Sequence, residues 1–198
     1  MNDTVDDPRM RILEEKVLSD DWATLTKYTI DYRRNDGARE TLIRQVYDRG
    51  NGACILPYDP DRGTVLLVRQ FRMPVWVESG GAASELIEAC AGLLDDLDPE
   101  TAIRREAEEE LGYRLGPIHR ILDCYMSPGS VSERIVFFTA RYAPQDRKFS
   151  GGGKEEEGED IEVLEPTLDE ALEMVRDGRI RDGKTIMLLW HVKLHGVG

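Results

Sequence analysis

The order of elements predicts a layered domain of the α+β or α/β class, mixed strands with helices laid on them, preceded by an antiparallel β-segment. Three observations carry this. Residues 9–48 read as β-ribbon, short apolar strands between 52 and 92 lead into one strongly capped helix, and two more helices follow the later strands. The chain of 198 residues suits one domain or a domain with an added segment. Its composition, 40% hydrophobic and 33% charged, is enough to bury a core.

In the ribbon, ATLTKYTIDY alternates apolar and polar residues with β-branched and aromatic types. Asn35-Asp36-Gly37 is a turn signal, and ETLIRQVYD reads as the returning strand. A lone hairpin buries little, so it must lie on the main domain or on a second subunit. GACILPYD, TVLLVRQF and SELIEACAG read as strands, the first two joined at DPDRG. The next segment is a helix, with Asp98 as N-cap, Pro99 at the first helical position and Gly112 as a left-handed stop. HRILDCYM and ERIVFFTARY follow as strands. SGGGKEEEGED reads as a mobile loop and IEVLEP as one more strand. TLDEALEMVRDG and KTIMLLWHVKLHG read as helices that end at glycine.

The net charge of −13 should repel phosphodiester backbones, which argues against nucleic acid as a partner. It should repel a small phosphate ester too, unless divalent cations or local arginines reverse the field. No apolar run approaches the ~18 residues that cross a bilayer. The opening MNDTVDDPRM lacks the basic and apolar regions of a secretory signal. Cys54, Cys90 and Cys124 are dispersed, as expected of reduced, buried thiols in a cytoplasmic protein.

The sharpest feature is RREAEEELGY on the capped helix. Glu106, Glu109 and Glu110 fall within one arc beside the apolar stripe of Ile103, Ala107 and Leu111. The acidic face therefore borders the buried face and should line a cleft. The plain alternative is a solvated face braced by Arg104–Glu108 and Arg105–Glu109 pairs, each worth about 0.3–0.5 kcal/mol. Those pairs run in the less favourable direction, however. The glutamates also crowd the helix C-terminal half, where the macrodipole opposes negative charge. The pattern makes sense if divalent ions bind there.

Gly92 followed by Arg105-Glu106-x-x-Glu109-Glu110-x-Gly112-Tyr113 resembles the Nudix box. Gly92 and Arg105 stand one residue closer than in the standard box, and Asp98 occupies the place of its first glutamate. The resemblance extends to LLVRQFR, LIEACAGLLD, YMSPGSVSE, EDIEVLE and IRDGKT. Together these are similar to the GDP-mannose pyrophosphatase branch of the Nudix hydrolases, which lies close to the ADP-ribose pyrophosphatases. The resemblance implies an α/β/α sandwich around a mixed sheet over residues 49–198. It implies that the β-segment of residues 1–48 is exchanged across a homodimer. It further implies hydrolysis of a nucleotide sugar with Mg²⁺, or Mn²⁺ in its place. GDP-mannose is the leading substrate and ADP-ribose the alternative; Pro128 suits either group. A non-catalytic ligand sensor is disfavoured, because all three box glutamates are present.

Carried over by position, Glu106 and Glu110 are the expected metal ligands, joined by the carbonyl of Ala91. Glu109 either binds a further ion or pairs with Arg105. Glu159, in the acidic loop, is the expected last ligand or general base, with Asp160 as runner-up. Glycines 151–153 would let that loop close over substrate and reopen. Arg72 and Lys184 match phosphate-contacting or substrate-contacting positions, and Glu133 matches a partner for a sugar hydroxyl or water. Trp22 and Arg44 match positions that cover the nucleotide. His191 and His195 have a legitimate metal spacing but no adjacent third ligand. The serines of SPGSVS have no histidine nearby in sequence to activate them.

Overall fold

The structure, a computed structural model, describes residues 9–154, 156 and 158–197. Residues 1–8 of the expected N-terminal segment, and Glu155 and Glu157 of the acidic loop, lie outside the described residues. The chain divides into two compact units. One runs up to Asn51 and adds Tyr125–Arg134; the other comprises Gly52–Cys124 and the chain from Ile135.

In the first unit, β1 (Met10–Asp20), β2 (Thr24–Arg33) and β3 (Arg39–Asp48) form an antiparallel sheet in that order. The ribbon is therefore three-stranded, not a single hairpin. Register shifts between Ile12 and Glu14 and between Val17 and Ser19 break the two-residue alternation of β1, which hides it in the sequence. Ile12, Val17 and Leu18 on this strand are exposed in the single chain. Tyr47 of β3 bridges Val131, so the segment 125–134 adds to this unit.

In the second unit, β4 (Gly52–Asp59) is the central strand, buried almost throughout. It runs parallel to β10 (Arg134–Arg141) and antiparallel to β5 (Thr64–Val65) and β8 (Cys90–Leu93). β9 (Ile118–Tyr125) lies beyond β10. A second sheet places β6 (Leu67–Phe71) between β7 (Glu85–Glu88) and β11 (Glu162–Leu164). TVLLVRQF and SELIEACAG are thus not single strands. Each breaks in the middle, at Leu66 and at Ala89, and passes from one sheet to the other.

The helix α2 (Pro99–Glu106) packs on β4 and β8, and α4 (Gly183–His195) also packs on β4. The unit combines two sheets with helices laid on the larger one, a mixed α+β fold. Asp98 caps α2 by accepting from the Thr101 N–H at 3.1 Å, an arrangement worth about 1 kcal/mol. The helix continues as a π-helical turn over Ala107–Leu111 and ends at Gly112 in the left-handed conformation. Ile103, Ala107 and Leu111 are fully buried against Ala53, Ile55, Val136 and Phe138. α3 (Leu168–Arg176) packs on α4. A short exposed helix, α1 (Met73–Glu78), had no sequence signal beyond Pro74, because six residues are too few to show a period. No helix among the described residues is long and apolar enough to cross a membrane.

Candidate active site

The stripe that buries Ile103, Ala107 and Leu111 turns the box glutamates toward β8. Glu110 is only 2% exposed. Its carboxylate accepts from the Ala91 N–H at 3.3 Å and from the Cys90 thiol. Glu106 lies against Gly92, where a Cβ would stand 2.5 Å from the Glu106 carboxyl carbon. The box glycine therefore makes room for a box glutamate. Burial, and then repulsion from Glu109 and Glu159, push the Glu106 carboxyl up to about 7. Burial pushes Glu110 up to about 8; the Cys90 hydrogen bond opposes this, while Glu106 and Glu159 add to it. Burial also opposes ionisation of Glu109, but bonds from Lys154 and Arg105, each at 2.9 Å, outweigh it and hold this carboxyl low.

Glu108, on the outward side of the same turn, pairs with Arg114 at 2.9 Å. The expected Arg104–Glu108 pair is not formed. Arg104 reaches back to Glu100 at 2.8 Å and to the carbonyls of Leu115 and Gly116. This places its cation beside Glu100, four residues nearer the helix start, and on the chain leaving the helix.

The start of the acidic loop is bonded to the end of the box helix. The Gly152 N–H donates to the Glu110 carbonyl at 2.9 Å, and the Gly153 N–H donates to Glu109 at 3.3 Å. These bonds satisfy carbonyls that a helix C-terminus leaves open. A Cβ on Gly151 would collide with the Glu110 carbonyl oxygen, so this glycine serves close approach as well as freedom of motion. Glu159 accepts from the Lys154 N–H at 2.8 Å and is half-buried, whereas Asp160 is exposed.

Two carboxyls raised by burial and mutual repulsion, with a third nearby, form a donor set that suits a hard divalent cation. Among the described residues no three acidic, histidine or cysteine side chains converge closely enough to hold an ion in this conformation. Ala91 touches Glu110 through its N–H, while the expectation concerned its carbonyl.

Arg72 and Lys184 come together on a carboxylate that sequence reasoning missed. Glu88, 3% exposed, accepts from Arg72 Nε at 2.6 Å and from Lys184 Nζ at 2.7 Å. Lys184 also pairs with Asp182 at 3.0 Å and is buried, so it is not a surface lysine. Burial opposes its charge, but Glu88 and Asp182 prevail and hold its pKa above the ordinary value. The only signal for Glu88 was a charged residue interrupting an apolar strand.

Trp22, Arg44 and Glu133 belong to the first unit. Trp22 is 68% exposed. The Arg49 guanidinium lies 5.6 Å from the centre of its ring and pairs with Glu133 at 3.2 Å. Arg49 thus links two expected site residues; its place at the end of a strand gave no hint of this. Arg44 is exposed on β3 and lines an apolar cavity of about 730 Å³ with Ile30, Tyr32, Tyr125 and Pro128. His191 and His195 lie with ring centres 5.0 Å apart.

Residues 9–47 match the family described as GDP-mannose pyrophosphatase NudK N-terminal domain, and residues 48–189 match the NUDIX domain. A GDP-mannose pyrophosphatase of Pectobacterium atrosepticum is 54% identical over 185 residues, 93% of this chain and 94% of that protein. One of Shigella dysenteriae is 48% identical over 186 residues, 94% and 96% of the two chains. One of Escherichia coli K12 is 50% identical over 181 residues, 91% and 93%. A solved structure described as an ADP compounds hydrolase has the same fold, with a TM-score of 0.69 at 17% identity, covering 96% of this chain and 97% of that one. With the box helix on the sheet and its glutamates turned inward, the chain belongs to the NUDIX domain family.

Proposed function

We propose that this chain hydrolyses the pyrophosphate bond of GDP-mannose, giving GMP and mannose 1-phosphate. The observation that carries the reading is the cluster of buried Glu110 with half-buried Glu106, Glu109 and Glu159, where carboxylates outnumber Arg105 and Lys154. The names of relatives at about half identity over nearly the whole chain support the substrate.

A pyrophosphate linkage resists attack because its anionic oxygens repel a nucleophile. A bound divalent ion, Mg²⁺ or Mn²⁺, supplies charge neutralisation on the diphosphate and lowers the pKa of the attacking water. Glu106, Glu110 and the Ala91 carbonyl would hold it. Glu159 takes the proton of the attacking water, with Asp160 beside it. Arg72 and Lys184 bind phosphate oxygens, a task that suits a guanidinium fork and an ammonium. Glu133 accepts from a sugar hydroxyl, Trp22 stacks on the base, and Arg44 covers the nucleotide.

The working form in this reading is a cytoplasmic homodimer in which residues 1–48 serve the partner's site. The exposed apolar side chains Ile12, Val17 and Leu18 of β1 support it, since they are better covered by a partner than left in water. The deciding experiment compares kcat/KM for GDP-mannose, ADP-ribose, GDP-glucose and ADP-glucose with Mg²⁺. A preference for ADP-ribose overturns the substrate assignment. An active monomer after deletion of residues 1–48 overturns the exchange.

A further inference from the structure

Arg72 and Lys184 come from distant parts of the chain, one after β6 and one at the start of α4. What joins them is one carboxyl group. Glu88 Oε2 takes the Arg72 Nε–H at 2.6 Å, and Oε1 takes Lys184 Nζ at 2.7 Å. The surroundings are hydrogen-bonded on both sides. The Arg72 backbone N–H donates to the Ser84 carbonyl at 2.7 Å, which fixes the root of that side chain. Asp182, the second partner of Lys184, caps α4 through the Thr185 N–H at 3.0 Å. The Thr185 hydroxyl accepts from the Ala89 N–H at 2.7 Å, next to Glu88 itself. Strand and helix are thereby pinned on either side of the carboxyl.

We propose that Glu88 is a positioning residue that holds Arg72 and Lys184 as a fixed pair of phosphate-binding cations. The inference rests on the reading of those two residues as phosphate contacts. Only the Nε edge of Arg72 is committed to Glu88, which leaves the η nitrogens as the donors for a substrate oxygen. The Arg72 side chain is 38% exposed and Lys184 only 10%, so the arginine is the accessible member and the lysine the buried anchor. An unbraced arginine loses rotamer freedom each time it binds; one already oriented by a buried carboxylate has lost it on folding. The carboxylate also prevents two neighbouring cations from driving each other apart before the anion arrives.

Substitution of glutamine at 88 keeps the size and removes the charge. Its amide oxygen can accept from one cation, but its NH₂ group faces the other as a donor toward a donor. Contacts made equally in ground and transition state change KM rather than kcat, so Glu88→Gln should raise KM for GDP-mannose by about tenfold or more and change kcat less than about threefold. The Arg72 Nε–H, followed by ¹⁵N NMR, should be protected from solvent exchange in the wild type and lose that protection in the variant. Glu162→Gln, which breaks the more exposed Arg69–Glu162 pair, is the control and should move neither quantity. A folded Glu88→Gln enzyme with unchanged KM, or with Arg72 Nε–H protection retained, overturns the proposal. If Glu88→Gln does not fold, Glu88→Asp decides. It keeps the charge on a shorter arm that cannot span both cations, and a wild-type KM there overturns the proposal equally. If the wild type itself does not hydrolyse GDP-mannose, the substrate reading fails, and the exchange measurement still decides the role of Glu88.

Discussion

Glu110 and Glu88 are carboxylates of nearly equal burial, 2% and 3% exposed, beside the same stretch of chain from Glu88 to Leu93, and they meet opposite surroundings. Around Glu88, Arg72 and Lys184 are matched by Glu88 and Asp182, so the charges balance. Around Glu110, the carboxyls of Glu106, Glu109 and Glu159 outnumber the cations Arg105 and Lys154, each of which pairs with Glu109. A balanced buried network is complete without a ligand, and removing one member leaves an unpaired charge. An unbalanced one is at its best only when a cation arrives. Charge balance thus separates a group that positions others from one that awaits a ligand, although the residue type is the same.

The largest effect that tests this contrast is metal removal. Excess EDTA should abolish GDP-mannose turnover and added Mg²⁺ should restore it; substantial turnover in metal-free buffer breaks the comparison at its root. Next comes Glu110→Gln, which should lower kcat on the order of 10³-fold with the fold retained. Glu108→Gln should cost little, because Glu108 is bound to Arg114 on the outward side of the turn. Equal losses at the two positions would mean that side chains two residues apart share one role.

Much of this contrast was legible in the sequence, and what was hidden has physical reasons. The capped helix, its buried stripe and the inward glutamates follow from 3.6-residue periodicity and from the cap chemistry of Asp98 and Gly112, which are local. Glu88 and Arg49 are settled by contacts between residues distant in sequence, and a charge interrupting an apolar strand was the only sign of Glu88; Arg104 had a glutamate four residues away on either side, a choice that spacing alone does not make. Strand breaks at Leu66 and Ala89 escape because an apolar run looks alike whether it stays in one sheet or passes between two. The π-helical turn over Ala107–Leu111 escapes for a similar reason: its residues keep the same apolar and acidic pattern as an α-helix. The acidic loop read as mobile from composition, yet its glycines are what let it bond to the carbonyls of Glu109 and Glu110.

That anchoring sharpens the prediction for Glu159. In the proposed role its carboxyl starts from a position held by the Lys154 N–H. Glu159→Gln should lower kcat by roughly 10²-fold, within the range of general acid–base effects, with a much smaller change in KM. Asp160→Asn, at an exposed residue, should be milder. A reversed order would assign the proton transfer to Asp160.

The smallest expected effect is on stability, and it has a definite sign. The ordinary value of these carboxyls is 4.5; in the folded chain Glu106 stands at about 7 and Glu110 at about 8. Between those limits the folded protein holds more protons than the unfolded chain. A raised carboxyl contributes its stability below the unfolded pKa, and that contribution is lost as pH rises through the folded value. Glu108 and Asp98 are shifted the other way, and their contribution is lost only as pH falls below the ordinary carboxylate range. Metal-free protein should therefore lose Tm steadily from about pH 5.5 to 8.5. Mg²⁺ binds the deprotonated forms, so its stabilisation should grow over the same interval. At about 100 times Kd a bound ligand adds about 2.7 kcal/mol, which for a chain of this size is roughly 5–10 °C in Tm. Thermal melts at pH 5.5, 7 and 8.5, with EDTA or with Mg²⁺, read this directly. In Glu110→Gln the metal-free slope should flatten, since the group with the higher pKa is gone. A Mg²⁺ increment that is the same at all three values would mean that the ion does not compete with protons on these carboxyls.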